Sequence, residues 1–256
     1  MAKTVRFWQP QERSPLAADR PSTPDWGSEA AMSEPSFVQA PDAIYRLARS
    51  SQLTRFSTIS PTDAQLSGAG NRFDVPGGGV IYAATERVAC YAETLARFRP
   101  TPAMIELAAQ DEDTSRMVLG GIPQAWRLDR VMGTFKLEEG ALPFLDLQQP
   151  ETHEWLSQEM RSTLIGLGYD QPLDLADVCG RDRLLSRAIA EFAYTLVDPD
   201  EDFMLSGIRY TSRLNSDWEC WAVFEGAPLE LVDRRPIELH DPDLRRVTGM
   251  WALRPF

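Results

Sequence analysis

The sequence predicts an α+β fold, a mixed or antiparallel sheet core with flanking helices. Three observations carry it. Short apolar runs of strand type crowd the last fifty residues, two segments show helical spacing of apolar positions, and no regular β-α-β rhythm links them. A hydrophobic fraction of 43% is enough for a real core.

Residues 1–40 form a separate zone. Pro10, Pro15, Pro21, Pro24 and Pro35 punctuate it, with Pro41 just past its end, and Phe7, Trp8, Trp26, Met32 and Phe37 follow no period. It reads as a Pro-rich arm, either extended along the domain or disordered. Residues 41–256 read as a single globular domain. Within it, residues 43–48 form a short strand, residues 68–79 a Gly-rich connection, and residues 79–83 a compact buried strand. Thr85 offers a helix N-cap with Glu86 in the first turn. Val88, Ala89, Ala92, Leu95 and Ala96 continue at helical spacing until Pro100 stops the element.

Strands are expected next at residues 116–119, 124–130 and 144–147, and a helix at 150–160. The clearest helix is 182–196, where Leu184, Leu185, Ala188, Ile189, Phe192, Ala193 and Leu196 make one apolar stripe. Residues 207–212, 220–225, 229–232 and 249–253 read as late strands.

Composition excludes some partners. Lys plus Arg is 26 against 38 Asp plus Glu, a net charge of −12. Such a surface repels nucleic-acid backbones and anionic membranes, so neither is an expected partner. A few converging arginines still suffice to bind a small anion. No stretch approaches the roughly 20 apolar residues of a membrane span, and residues 1–10 lack the apolar run of a secretory signal. Three scattered cysteines make neither a disulfide framework nor a CxxC site, which favours a reducing, cytoplasmic setting.

Several motifs fall away. Gly68-Ala69-Gly70 lacks the third glycine and the strand–helix context of a dinucleotide fingerprint, and Gly77-Gly78-Gly79 is no P-loop. Asp198, Asp200 and Asp202 alternate like a calcium loop, but Phe203 stands where its glycine belongs. His153 and His240, the two histidines, lie far apart, and no HExxH or GxSxG motif exists, so metal and Ser-His-Asp chemistry are not expected.

Four polar placements remain. Arg46 sits inside the strand-like run IYRL, and Arg72 sits beside glycine in GNRF. Tyr82 ends a buried strand, with Glu93 eleven positions later on the following helix, and GIRYTSR is a strand ending in Ser212. Each has a bland reading: an edge charge, a core aromatic, a helix acid paired with Arg97, a turn serine.

Their order and spacing resemble the RES domain, a family named for Arg, Glu and Ser positions. The match lies in "IYRLAR", "GNRF…GGGVIYAATERVACYAETLARF" and "GIRYTSRLNSDWECWAVF" and spans roughly residues 41–226. The resemblance implies a fold similar to ADP-ribosyltransferases and cleavage of NAD⁺ as substrate, with no bound cofactor, by phosphorolysis or hydrolysis. It also implies a toxin of the kind neutralised by a helical antitoxin. Some members transfer ADP-ribose to a protein, which is the rival activity; a catalytically silent nucleotide-binding module is another rival. Phosphate or water is the implied acceptor, and oligomeric state stays open. Carried across residue by residue, the catalytic set is Glu93, Arg46, Tyr82 and Ser212, and NAD⁺ binding falls to Arg46, Arg72, Tyr82 and Ser212. Phe73 stands where the family commonly has Trp, and Asp74 where a small amide often follows. The span from Glu93 to Ser212 is longer than in compact members.

The residue chemistry agrees with these assignments. Arginine's planar fork matches pyrophosphate oxygens. Breaking the nicotinamide–ribose bond builds oxocarbenium-like charge, which a fixed carboxylate such as Glu93 stabilises. Tyr82 offers a ring face and hydroxyl to nicotinamide, and Ser212 a hydrogen bond to its ribose or phosphate. Arg213 and Arg209 are weaker candidates for the acceptor's contact. Strand alternation turns both away from the serine unless a bulge intervenes.

Overall fold

The computed structural model describes residues 34–110 and 118–256. The strands among them are β1 (Phe37–Val38), β2 (Ile44–Arg49), β3 (Val80–Ala84), β4 (Gly121–Ile122), β5 (Arg130–Leu137), β6 (Phe144–Asp146), β7 (Gly207–Thr211), β8 (Glu219–Phe224), β9 (Leu229–Pro236) and β10 (Arg254–Pro255). The α-helices are α1 (Pro61–Ala64), α2 (Arg87–Leu95), α3 (Pro102–Gln110), α4 (Gln124–Leu128), α5 (Pro150–Glu159), α6 (Arg161–Leu167), α7 (Leu175–Val178), α8 (Arg183–Tyr194) and α9 (Pro242–Met250). This is the expected α+β class.

Eight strands form one mixed sheet in the order β1-β6-β7-β8-β3-β2-β5-β9, and β4 and β10 pair separately. Every neighbour in the large sheet is antiparallel except β6 with β7. Helices α2 and α4 to α9 contribute to a core on one face. Val88, Ala89, Ala92 and Leu95 of α2 and Leu185, Ile189 and Ala193 of α8 pack there with Val80 and Ala84 of β3. The opposite face holds a smaller cluster, with Ile81 and Ala83 of β3 beside Ile44, Phe135, Phe144 and Trp221. Both faces of β3 are therefore covered, so its run is continuously apolar rather than alternating. Phe144 and Trp221 meet edge to face at 5.0 Å between ring centroids, a contact that adds about 1 kcal/mol beyond burial.

Local chemistry sets the helix that carries the apolar stripe. Asp182 accepts hydrogen bonds from the amides of Leu184 and Leu185 at 2.8 and 3.3 Å, a cap that contributes about 1 kcal/mol. Asp174 and Asp177 cap α7 reciprocally in the same way.

Several expectations need correction. Residues 124–130 are helix α4 followed by the start of β5. Pro123, extended at φ −60° and ψ 142°, is the residue from which that helix starts. Trp126 is buried and Leu128 exposed, so their spacing was not strand alternation. Residues 249–253 are the end of α9 and a turn, because Asp241 caps that helix and Pro242 occupies its first turn. Of the strand expected at 116–119, residues 116 and 117 lie outside the described residues, and Val118 and Leu119 are not strand. Thr85 is not the cap of α2; Glu86 precedes the helix, and the Thr85 hydroxyl instead donates to Glu219 and accepts from the Trp221 indole, both at 2.9 Å. Most of the arm, residues 1–33, lies outside the described residues. Its end does not dangle, since Phe37 and Val38 pair with Leu145 and Phe144 as the edge strand β1.

Candidate active site

The sheet opens at its centre. β2 pairs with β5 along all six of its residues but meets β3 at the single register pair Tyr45 with Ala84. Further along β3, Ser57 takes the place of β2 and exchanges two backbone hydrogen bonds with Val80, at 2.8 and 2.9 Å. Arg46 lies where the strands diverge, on an interior strand, so it is no edge-strand charge. Its Nη2 donates to the Arg55 carbonyl at 3.0 Å. Its Nε and Nη1 are buried without a hydrogen-bond partner. Burial pulls the guanidinium down to about 10, while Cys90 and Tyr82 nearby push it back up. It remains a cation at neutral pH, with unsatisfied donors that an anion would complete.

The Gly-rich connection carries Arg72. Gly70 sits in the left-handed region at φ +57°, and a Cβ there would lie 2.5 Å from Ile59 Cδ1 and 2.9 Å from Asp74 Oδ2, so the turn requires glycine. Arg72 Nη2 donates to the Val178 carbonyl at 2.6 Å, and its Nε is buried without a partner. The guanidinium stands 5.3 Å from the Tyr210 ring centroid and 5.0 Å from that of Phe73, and the two rings pack at 4.6 Å.

Asp74, fully buried, accepts from the Asn71 amide at 2.6 Å and from the Tyr82 hydroxyl at 2.9 Å. That hydroxyl also accepts the Phe73 amide proton at 3.1 Å. Burial first, then the negative Asp74, push the Tyr82 phenol well above its ordinary value, so it stays protonated. The Tyr82 hydroxyl is thereby committed within the protein, and its ring is what remains for a ligand. This narrows the expectation that both would serve.

Glu93 projects from α2 and is exposed, while the neighbouring Tyr91 and Ala92 are buried. Its partner is not Arg97. The Ser212 hydroxyl donates to Glu93 Oε1 at 2.6 Å and accepts the Leu214 amide proton at 3.1 Å. Ser212 is buried at the end of β7, across 119 positions of sequence. The serine proton thus fixes the carboxylate of Glu93 through one oxygen, Oε1.

Arg209 and Arg213 part ways. Arg209 is ion-paired with Asp146, at 2.8 Å, and with Glu219, so it is a structural cation and not a contact for an acceptor. Arg213 lies past the end of β7, where alternation no longer applies. Burial lowers its guanidinium, as do Arg72, Arg181 and Arg183, and Glu93 is the acid that offsets them. The alternation that would turn Arg213 away from the serine therefore does not reach it, since β7 ends at Thr211.

The five residues singled out from the sequence occupy one region. The Ser212 hydroxyl joins Glu93, the Phe73 amide beside Arg72 joins the Tyr82 hydroxyl, Arg72 lies over the Tyr210 ring two residues before Ser212, and the Cys90 thiol of α2 donates to the Tyr45 carbonyl beside Arg46. Sequence reasoning did not identify Asp74 and Tyr210 as parts of this region. Two-residue alternation from Ser212 places Tyr210 on the same side of the chain, a signal that was available. Asp74 carried no comparable signal, because its role depends on a tyrosine eight positions away folding back over it. Among the described residues, no group of three or more His, Cys, Asp or Glu side chains is placed to hold a metal ion, and no helix is long and apolar enough to cross a membrane.

No curated protein matches this chain. The family model of the RES domain matches residues 43–246, twenty residues further than the motifs alone reach. That family is one of NAD⁺-related, toxin-like proteins, which gives an NAD⁺-acting enzymatic role in general. With its model matched over four-fifths of the sequence, from just before β2 into α9, the chain belongs to the RES domain family.

Proposed function

We propose that this protein cleaves NAD⁺ at the nicotinamide–ribose bond, and that it does so as the toxin of a toxin–antitoxin pair. The observation that carries the chemistry is an exposed carboxylate, Glu93, fixed by Ser212 in a region flanked by two arginines with buried, unsatisfied donors. Arg46 and Arg72 bind the pyrophosphate, whose oxygens complete the guanidinium hydrogen bonds. The ring face of Tyr82 packs against nicotinamide.

Bond breaking moves positive charge from the pyridinium nitrogen to the ribose, and nicotinamide departs neutral with the bonding electrons. Glu93 stabilises the charge that develops on the sugar. Because the leaving group is already cationic in the ground state, no strong general acid is needed, which suits a site whose other carboxylate, Asp74, is occupied by the Tyr82 hydroxyl and the Asn71 amide. Phosphate or water then forms the new bond to the ribose carbon, and the acceptor proton passes to solvent.

Ser212→Ala is expected to lower kcat roughly 10- to 100-fold with little change in KM, because a charge-assisted hydrogen bond that orients Glu93 is lost. Steady-state kinetics on the purified variant measure it, and an unchanged kcat would show that the serine does not govern the carboxylate. The proposed reaction is tested by mass spectrometry of NAD⁺ incubated with the full chain, with phosphate, without it, and with cell lysate. ADP-ribose 1″-phosphate, free ADP-ribose or ADP-ribosylated protein, in those respective arms, identifies the acceptor. Intact NAD⁺ in all three contradicts the reading. Protein modification is the second reading, and it uses the same donor residues with another nucleophile.

A further inference from the structure

Helix α8 does more than fill the core with its apolar stripe. Two of its arginines reach the connection that carries Arg72. Arg183 Nη1 donates to the carbonyls of Gly68, Ala69 and Gly70 at 2.9, 3.3 and 2.8 Å. Arg187, 3% exposed, donates through Nη1 to Ala69 at 3.1 Å, through Nη2 to Leu66 at 2.8 Å, and through Nε to the Arg183 carbonyl at 3.0 Å. Arg72 sends a bond back across the same boundary, to Val178 in α7. The glycines that resemble a phosphate-binding loop thus turn their carbonyls, not their amides, toward charged partners.

We propose that Arg183 and Arg187 are positioning residues that act through Arg72, holding residues 66–70 so that its guanidinium is presented between the Val178 carbonyl and the Tyr210 ring. This rests on the reading of Arg72 as a ligand of the NAD⁺ pyrophosphate. The strapped stretch, residues 66–70, contains two glycines and is intrinsically adaptable, so without a strap its order would have to be supplied at binding. Charge distinguishes this arrangement from an ordinary structural tie. Among the described residues, Arg72, Arg183 and Arg187 form no ion pair; their partners are carbonyls. Carbonyls orient a guanidinium without neutralising it, so the strap leaves three positive charges beside the site in a protein of net charge −12.

Arg183 is the residue to change, because it is less buried than Arg187 and its loss threatens the fold less. Hydrogen exchange on the full chain is expected to show faster exchange across residues 66–74 in Arg183→Gln than in wild type, at an unchanged Tm. In nicotinamide-release kinetics the same variant is expected to raise KM for NAD⁺ about tenfold with kcat within about twofold. In an Arg72→Gln background, Arg183→Gln should add almost nothing, since the residue through which it acts is gone. Arg183→Lys, which keeps the charge but not the fork, should give a smaller shift in the same direction and serves if the glutamine variant folds poorly.

Unchanged exchange at residues 66–74, a fall in kcat at constant KM, or a full KM penalty in the Arg72→Gln background would each overturn the proposal. Absence of nicotinamide release from wild type would sink the reading of the site instead. The exchange measurement would still decide whether Arg183 holds the connection.

Discussion

Replacing Glu93 by Gln is expected to lower the rate of nicotinamide release about a thousandfold, the scale seen when a preorganised charge-stabilising group is removed from an active site. The fold should be kept. Glu93 is exposed, and a glutamine carbonyl still accepts the Ser212 hydroxyl. What disappears is the negative charge, which the transition state needs more than the ground state does, so the loss falls on kcat rather than on KM. Steady-state kinetics together with a thermal melt separate the two. A Glu93→Gln protein that turns over at the wild-type rate would show that another group stabilises the ribose, whatever the geometry suggests.

The second large effect is on stability. Asp146 is buried at the end of β6 and pairs with Arg209 of β7, which also meets Glu219 on β8. Asp146→Ala leaves Arg209 only partly compensated in a site where its side chain is 15% exposed, and it orphans the Gln148 amide that Asp146 caps at 3.0 Å. Breaking a buried pair by deleting one partner costs about 3 kcal/mol. In a chain of this size that corresponds to a Tm lowered by roughly 6–12 °C. Calorimetry or circular dichroism measures it, and a Tm within a degree of wild type would mean that Glu219 alone satisfies Arg209. The pair ties β6, β7 and β8 together just before Ser212 leaves the sheet, so it is also part of what holds the serine in register.

The elements legible in the sequence are those whose pattern is local. The stripe of α8 with its Asp182 cap, the buried run of β3 and the strands β7 and β8 all follow from residues within a few positions of one another. β5 was missed because its identity is non-local. It carries Gly133 in its middle and charged residues at Arg130 and Lys136, and it is a strand because β2 and β9, far away in sequence, flank it. The two-residue β1 exists only where β6 offers an edge.

The candidate site divides in the same way. Arg46, Arg72, Tyr82, Glu93 and Ser212 stand out because charged and hydroxyl side chains interrupt apolar runs at spacings that match a family. Asp74, Tyr210, Arg183 and Arg187 look like ordinary loop, strand and helix residues until the chain folds. The acidic average concealed the arginine-rich corner for a related reason. A net charge says nothing about where Arg72, Arg183 and Arg187 gather around residues 66–72.

The central claim is that this region breaks the nicotinamide–ribose bond by means of Glu93. The most direct measurement is a time course of free nicotinamide from saturating NAD⁺, with wild-type chain and Glu93→Gln run side by side and any bound inhibitor first removed. The account predicts steady nicotinamide release by the wild type and almost none by the variant. No release by freshly folded wild type, or equal release by both, would contradict it.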